Sequence, residues 1–201
     1  MAKLNETTRV EAFSDGVFAI AITLLVLDIK VPHGAGSDGG LWQMLMAQWP
    51  TFAAYLTTFA TIGIMWVNHH QLFTMIKKVD RSLMMLNGLL LLTVTFAPFP
   101  ASLLAEYLNH PGEKTAAAVY SGLFVLIAII FNLLWRYAAK QSGLIGKEIR
   151  PEDVAMTTKS YIFGPALYLL AFLLAWVSTA ASVGLCAGMA IFYAIPRKTV
   201  G

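Results

Sequence analysis

Asp15 stands with Arg9 at the start of the stretch RVEAFSDGVFAIAITLLVLDIKVP, residues 9–32, which then runs apolar from Val17 to Leu27 but for Thr23. Only twelve uncharged residues separate Asp15 from Asp28, and as a helix they reach about 18 Å, well short of a hydrocarbon core about 30 Å thick. One carboxylate or both must therefore sit near membrane depth, where an ionised acid needs a partner or water. Such an acid does one of two things: it anchors a helix through a hydrogen-bonded network, or it titrates. Titration together with His69 and His70 would suit a proton-coupled secondary transporter.

A second feature of the same stretch is Thr23. Ile20, Thr23, Leu24 and Leu27 follow the i, i+3, i+4, i+7 rule and form one helical stripe, with Gly16 below it and Val31 above. Asp15 projects about 130° away from that stripe, toward packing with neighbouring helices. On pattern alone the stripe is an ordinary helix-packing face, or the seam of a dimer, with Thr23 bonded back to a carbonyl one turn earlier. Thr8 followed by Glu11 fits a capping box that would start this helix, with Thr8 as the N-cap.

Other candidates carry less chemistry. His69 and His70 are adjacent, so they diverge on a helix, and no third ligand accompanies them as zinc would require. TIGIM, residues 61–65, has the start of a carbonyl filter but lies in an apolar helix and lacks the second glycine. An enzyme would need a nucleophile or metal set converging at one depth, and Asp15, His69 and His70 are too few. No enzyme activity, metal or cofactor is expected.

The elements that must position these residues are membrane spans. The 201-residue chain is 58% hydrophobic and 12% charged, about half the charge of a soluble domain. Uncharged stretches long enough to cross a bilayer recur. Hydropathy and breakers give six: Thr8 to Val31, Trp49 to Asn68, Leu83 to Leu108, Thr115 to Tyr137, Val154 to Ser178 and Thr179 to Ile195. A Gly-rich turn, Gly34 to Gly40, follows the first, and a tight hairpin around Ser178 to Ser182 joins the last two. TFAPFP, residues 95–100, kinks the third. Trp42, Trp49, Tyr107, Trp135, Tyr137 and Tyr193 fall near span ends, where interfacial anchors belong.

In a six-span arrangement Lys3, Arg9, Lys77, Lys78, Arg81, Arg136, Lys140, Lys147, Arg150, Lys159, Arg197 and Lys198 share one side, against Lys30 and Lys114 on the other. Both termini are therefore expected in the cytoplasm, in a multi-pass protein of the inner (plasma) membrane. Topology accounts for the net charge of +3, and no nucleic-acid partner is needed. The amino terminus has no secretory-signal pattern, so the first apolar segment is expected to remain as a span. Cys186, without an intrachain partner, excludes a disulfide framework. Asp28 at the outer end of the first span is either a solvated helix end or part of a cation-attracting ring.

Arg9-x-x-x-Phe13-Ser14-Asp15, running into Gly16 and VFAIAITLLVL at the start of the first of six spans, resembles the signature of the transmembrane protein 175 family. These are the endolysosomal potassium channels and their prokaryotic relatives. WVNHHQLF at the end of the second span, the chain length and the helix count are also similar. Animal members carry two six-helix repeats; with one R-x-x-x-F-S-D, this chain resembles a single-repeat prokaryotic member.

The resemblance implies an all-α protein, residues 1–201 forming one six-helix channel domain, assembled as a homotetramer around a pore lined by the first helix of each subunit. It implies that potassium and other monovalent cations pass passively. Ile20 would be the main constriction, with Leu24 and Leu27 as further apolar layers and Thr23 as a ring of hydroxyls between them, so that the pore gates by dewetting. It further assigns Arg9, Phe13, Ser14 and Asp15 to a packing and hydrogen-bond network with the second helix, where Trp66 and one of His69 or His70, at i+3 and i+4 spacing, share a face; His69 is the favoured one.

Overall fold

A computed structural model describes residues 5–34 and 36–194, with side chains over residues 7–34 and 36–191. The chain is helical nearly throughout. Helix α1 (Thr8–Leu24) tightens into a 3-10 turn, Leu25–Asp28; then come α2 (Asp38–Ala47), α3 (Trp49–Met75), α4 (Arg81–Thr95), α5 (Pro98–Tyr107), α6 (Glu113–Lys140), α7 (Pro151–Ala175) and α8 (Thr179–Ala194). Among the described residues, five stretches are long and apolar enough to cross a membrane: Thr8–Asp28, Trp49–Met75, Arg81–Tyr107, Glu113–Lys140 and Pro151–Ala175. Helix α8 is apolar but shorter, at 16 residues.

The first span starts differently from the capping-box expectation. Thr7, not Thr8, is the N-cap, its side chain makes no capping bond, and its backbone carbonyl accepts from Val10 N and Glu11 N at 2.8 and 2.9 Å. The reason lies upstream, where Asn5–Glu6 (β1) pairs antiparallel with Lys78–Val79 (β2). The ribbon delivers the chain to Thr7 already in helical conformation, and the helix is entered through the backbone with no side-chain cap. At its far end the 3-10 turn lengthens the span by about 2 Å per residue, and Thr8–Asp28 reaches roughly 33 Å, enough to cross the bilayer core. Asp15 then lies about 10 Å in from the helix start.

Three further expectations are corrected. Gly39 and Gly40 belong to α2 and not to a turn, because Ser37 accepts from Gly40 N at 3.2 Å and caps a helix there. Helix α3 runs on to Met75, past the expected end at Asn68, because His69, Leu72 and Phe73 are buried against the core. The link between α7 and α8 is Trp176–Ser178, so Thr179 to Ser182 are helical.

Proline shapes two spans. At TFAPFP the third span divides into α4 and α5, with Pro98 taking the first position of α5, where a missing N–H costs nothing. Pro165 lies inside α7 and cannot donate to the carbonyl of Tyr161 one turn back. Asn132 of α6 supplies that donor, its Nδ2 lying 2.8 Å from Tyr161 O. Gly112, at φ 101°, turns the chain into α6 with the ring of Tyr107 3.1 Å from where a Cβ would sit, so only glycine fits.

The core centres on α6. Its Tyr120, Phe124, Ile127, Leu134 and Trp135 are fully buried, and α4, α5, α7 and α8 pack around it. Trp135 is therefore no interfacial anchor: its Nε1 donates to Thr158 Oγ1 at 2.9 Å, since its face of α6 looks onto α7 rather than lipid. Tyr137 is likewise turned inward, its hydroxyl donating to Asp80 Oδ2 at 2.7 Å while Asp80 Oδ1 caps α4 at Leu83 N. Trp49 and Tyr107 are exposed at helix ends, Trp42 is exposed in the middle of the short α2, and the side chain of Tyr193 lies outside the described residues.

One end of the bundle is knitted together. Besides the ribbon, Lys77 N donates to Leu144 O at 2.9 Å and Gly146 N to Met75 O at 3.0 Å. The start of α1, the α3–α4 link and the α6–α7 link thus form one layer. Arg9, Lys77, Lys78, Arg81, Arg136, Lys140, Lys147, Arg150 and Lys159 gather at this end, and Lys30 and Lys114 at the opposite one; Lys3, Arg197 and Lys198 lie outside the described residues.

Candidate functional site

Helix α1 has two unlike faces. Ser14, Phe18, Ala21 and Leu25, spaced by three or four residues, are buried against α3 and α4. The other face is uncovered within the chain: Ile20 is 57% exposed, Leu24 41% and Leu27 64%, with Thr23 exposed among them. The stripe is therefore no intrachain packing surface. Thr23 does bond back, its Oγ1 donating to Ile20 O at 2.9 Å. With its proton committed to the backbone, the hydroxyl keeps its lone pairs for whatever faces it, which suits a cation. A column of aliphatic side chains interrupted by one acceptor oxygen is what the uncovered face offers.

The polar residues near the start of α1 divide into two sets. In the first, Trp66 Nε1 of α3 donates to Asp15 Oδ1 at 2.8 Å on the exposed side of α1. The second is buried and runs across three helices: Ser14 Oγ donates to Val10 O at 2.8 Å and accepts from Asn87 Nδ2 at 2.9 Å, and His69 Nε2 lies 2.8 Å from Asn87 Oδ1. Because a carbonyl oxygen only accepts, His69 carries its proton on Nε2. The imidazole is 1% exposed and stacks on Phe73 with ring centroids 4.5 Å apart. Each polar side chain in this chain of bonds has a partner, which is the condition for burying it.

Sequence pattern did not single out Asn87. The available signal was a lone amide in the apolar run LMMLNGLLLL, residues 83–92, where an unpaired polar group would be costly. Arg9 is exposed, has no salt bridge among the described residues, and Phe13 is exposed too; neither joins the two sets. His70 is exposed and lies beside the Trp66 ring at 6.4 Å, on another side of α3 from His69. Thr61 of TIGIM donates to Thr57 O at 2.7 Å inside α3, so its backbone carbonyls serve a helix and form no filter. Asp28 ends the 3-10 turn, half-buried.

Comparison with known proteins gives a consistent picture. The family model described as endosomal/lysosomal potassium channel TMEM175 matches residues 9–98. A potassium channel from Chamaesiphon minutus is 52% identical over 192 residues, 95% of each chain. The human endosomal/lysosomal proton channel TMEM175 is 36% identical over 186 residues, 85% of this chain and 35% of that protein. Among solved structures, that of a lysosomal potassium-selective channel TMEM175 homologue from Chamaesiphon minutus superposes with a TM-score of 0.85 at 52% identity, covering 94% of this chain and 96% of that one.

Proposed function

The chain belongs to the TMEM175 family, and on that premise we propose that it is a potassium-favouring cation channel of the plasma membrane. Residues 1–201 form a single six-span domain, α8 being the sixth span, and four copies surround a central pore. Both termini face the cytoplasm, on the side where the basic residues gather. No cofactor takes part; the permeant ions are potassium and other monovalent cations.

The observation that carries this reading is the uncovered face of α1. In a tetramer, Ile20, Leu24 and Leu27 from four subunits make apolar layers, with the Thr23 hydroxyls between them. A narrow ring of aliphatic side chains holds water poorly and closes by dewetting. When it is wide enough to pass an ion, the ion crosses partly dehydrated, and potassium gives up water more readily than sodium. The free lone pairs of Thr23 replace some of that water. The Asp15–Trp66 bond and the Ser14–Asn87–His69 chain fix the rotation of α1 against α3 and α4, so the aliphatic column stays aimed at the axis.

The relatives named as channels favour this reading over a proton-coupled transporter using Asp15 with His69 or His70. A flux assay in liposomes under a potassium gradient tests it, with Ile20→Ala and Ile20→Asn beside the wild type. Faster passage of potassium than sodium, and a higher flux with less preference in either variant, is expected. Movement of potassium only when a proton gradient drives it would overturn the channel.

A further inference from the structure

At the end of the bundle opposite the ribbon, a cavity of about 500 Å³ opens between the start of α3, the end of α5, the start of α6 and the α7–α8 turn. Its size is that of a ligand site, and no residue of α1 lines it. Ala54, Leu104 and Val183 give it apolar walls, and Tyr120 closes its inner end, with its hydroxyl already 3.1 Å from Thr58 Oγ1. Trp49 and Val177, both exposed, frame the mouth.

The polar lining is of two signs. Lys114 brings an exposed ammonium and Glu113 a half-buried carboxylate, whose Oε2 accepts from Asn109 N at 3.1 Å and leaves Oε1 available. On the far wall is the first turn of α8. Ser178 Oγ accepts from Ala181 N at 3.3 Å, whereas the amides of Thr179 and Ala180 stand at the helix start, where no intrahelical acceptor exists. They attract negative charge. Thr179 lines the cavity, is 5% exposed, and its hydroxyl is buried without a partner among the described residues. A buried orphan hydroxyl is costly, so a ligand oxygen that it could reach by a change of χ1 would relieve that cost.

We propose that this cavity binds the headgroup of a phospholipid carrying a primary ammonium, of the phosphoethanolamine type. The phosphodiester sits at the α8 N-terminus between Thr179 and Lys114, the ammonium meets Glu113, and the glycerol leaves through the mouth past Trp49 and Val177 into the bilayer. A headgroup with both signs matches a lining with both signs; a purely anionic one leaves Glu113 opposed, and a trimethylated one cannot donate to it. The site is independent of the pore reading and would stand if that reading failed.

The test is thermal unfolding of the purified full-length protein in detergent, with phosphatidylethanolamine, phosphatidylcholine or phosphatidylglycerol added in turn, and native mass spectrometry to count retained lipid. Phosphatidylethanolamine is expected to raise the Tm at least about 3 °C more than the other two. Lys114→Gln and Glu113→Gln each abolish that excess, the glutamine at 113 still able to accept from Asn109 N. Thr179→Val loses it as well while unfolding no lower than wild type without lipid, because it removes an unpartnered hydroxyl. Equal shifts with all three lipids, or an excess that survives all three substitutions, would overturn the proposal. So would an equal shift from inorganic phosphate alone, which would mark a free-anion site.

Discussion

Asn132 of α6 donates its side-chain amide to the carbonyl of Tyr161 in α7 at 2.8 Å, the carbonyl that Pro165 leaves without its usual intrahelical donor. In a bilayer such a carbonyl finds no water, so a neighbouring helix has to supply the bond. The proline and the asparagine are thus one device on two helices. Asn132→Leu should lower stability by about 1–3 kcal/mol, read as a fall in Tm. In a Pro165→Ala background, where the restored backbone N–H serves Tyr161 from within α7, the same change should cost much less; an equal cost in both backgrounds would show that Asn132 acts elsewhere.

A second prediction concerns Asn87. Asn87→Leu removes the acceptor of the His69 N–H and one donor to Ser14, and a loss of about 2–4 kcal/mol is expected from the buried groups left unpaired. His69→Leu made in the Asn87→Leu background should then cost less than in the wild type, by roughly 1 kcal/mol or more. A double-mutant cycle on thermal or denaturant unfolding reads this coupling directly, and additive costs would dissolve the chain of bonds into independent contacts.

Asp15 and Trp66 give a contrast between charge and hydrogen bonding. Trp66→Phe removes the donor at 2.8 Å, whereas Asp15→Asn keeps an acceptor oxygen in place. If the pair serves to hold α1, Trp66→Phe should raise sodium flux relative to potassium in liposomes, and Asp15→Asn should stay close to wild type. If Asp15 instead works as a charge, Asp15→Asn will be the more damaging of the two.

Thr23 is the last test of the uncovered face. Thr23→Val has nearly the same shape without the oxygen, and potassium flux is expected to fall about tenfold, equivalent to about 1.4 kcal/mol on the barrier. Thr23→Ser keeps the oxygen and should pass potassium at near the wild-type rate. A valine variant with unchanged flux would leave the hydroxyl as a helix-bonding group only.

How far could these relationships be read in advance? Five of the spans and the alignment of Ile20, Thr23, Leu24 and Leu27 on one stripe rest on composition and on the 3.6-residue period, both of which are local; pattern alone reads that stripe as a packing face, and its exposure shows only once α3 and α4 are placed. The division at TFAPFP was also local, because proline acts on its own helix. What escaped was set by partners far along the chain. Asn87 becomes meaningful only once α4 is placed against Ser14 and His69, and Trp135 turns from anchor to core only because α7 covers it. The β1–β2 ribbon, two residues a side, is too short to leave a period. Thr7 replaced Thr8 as the start of α1 for the same reason: the ribbon, not the capping box, fixes the entry.

That ribbon also decides what the foot of α1 can do. Asn5 and Glu6 are tied to Val79 and Lys78, and Lys77 in turn to Leu144 of the α6–α7 link. The foot of the helix is thereby a lever with its fulcrum in a shared backbone lattice. The route from the 141–150 segment to α1 thus runs through main-chain bonds, from Leu144 to Lys77 and from the ribbon to Thr7.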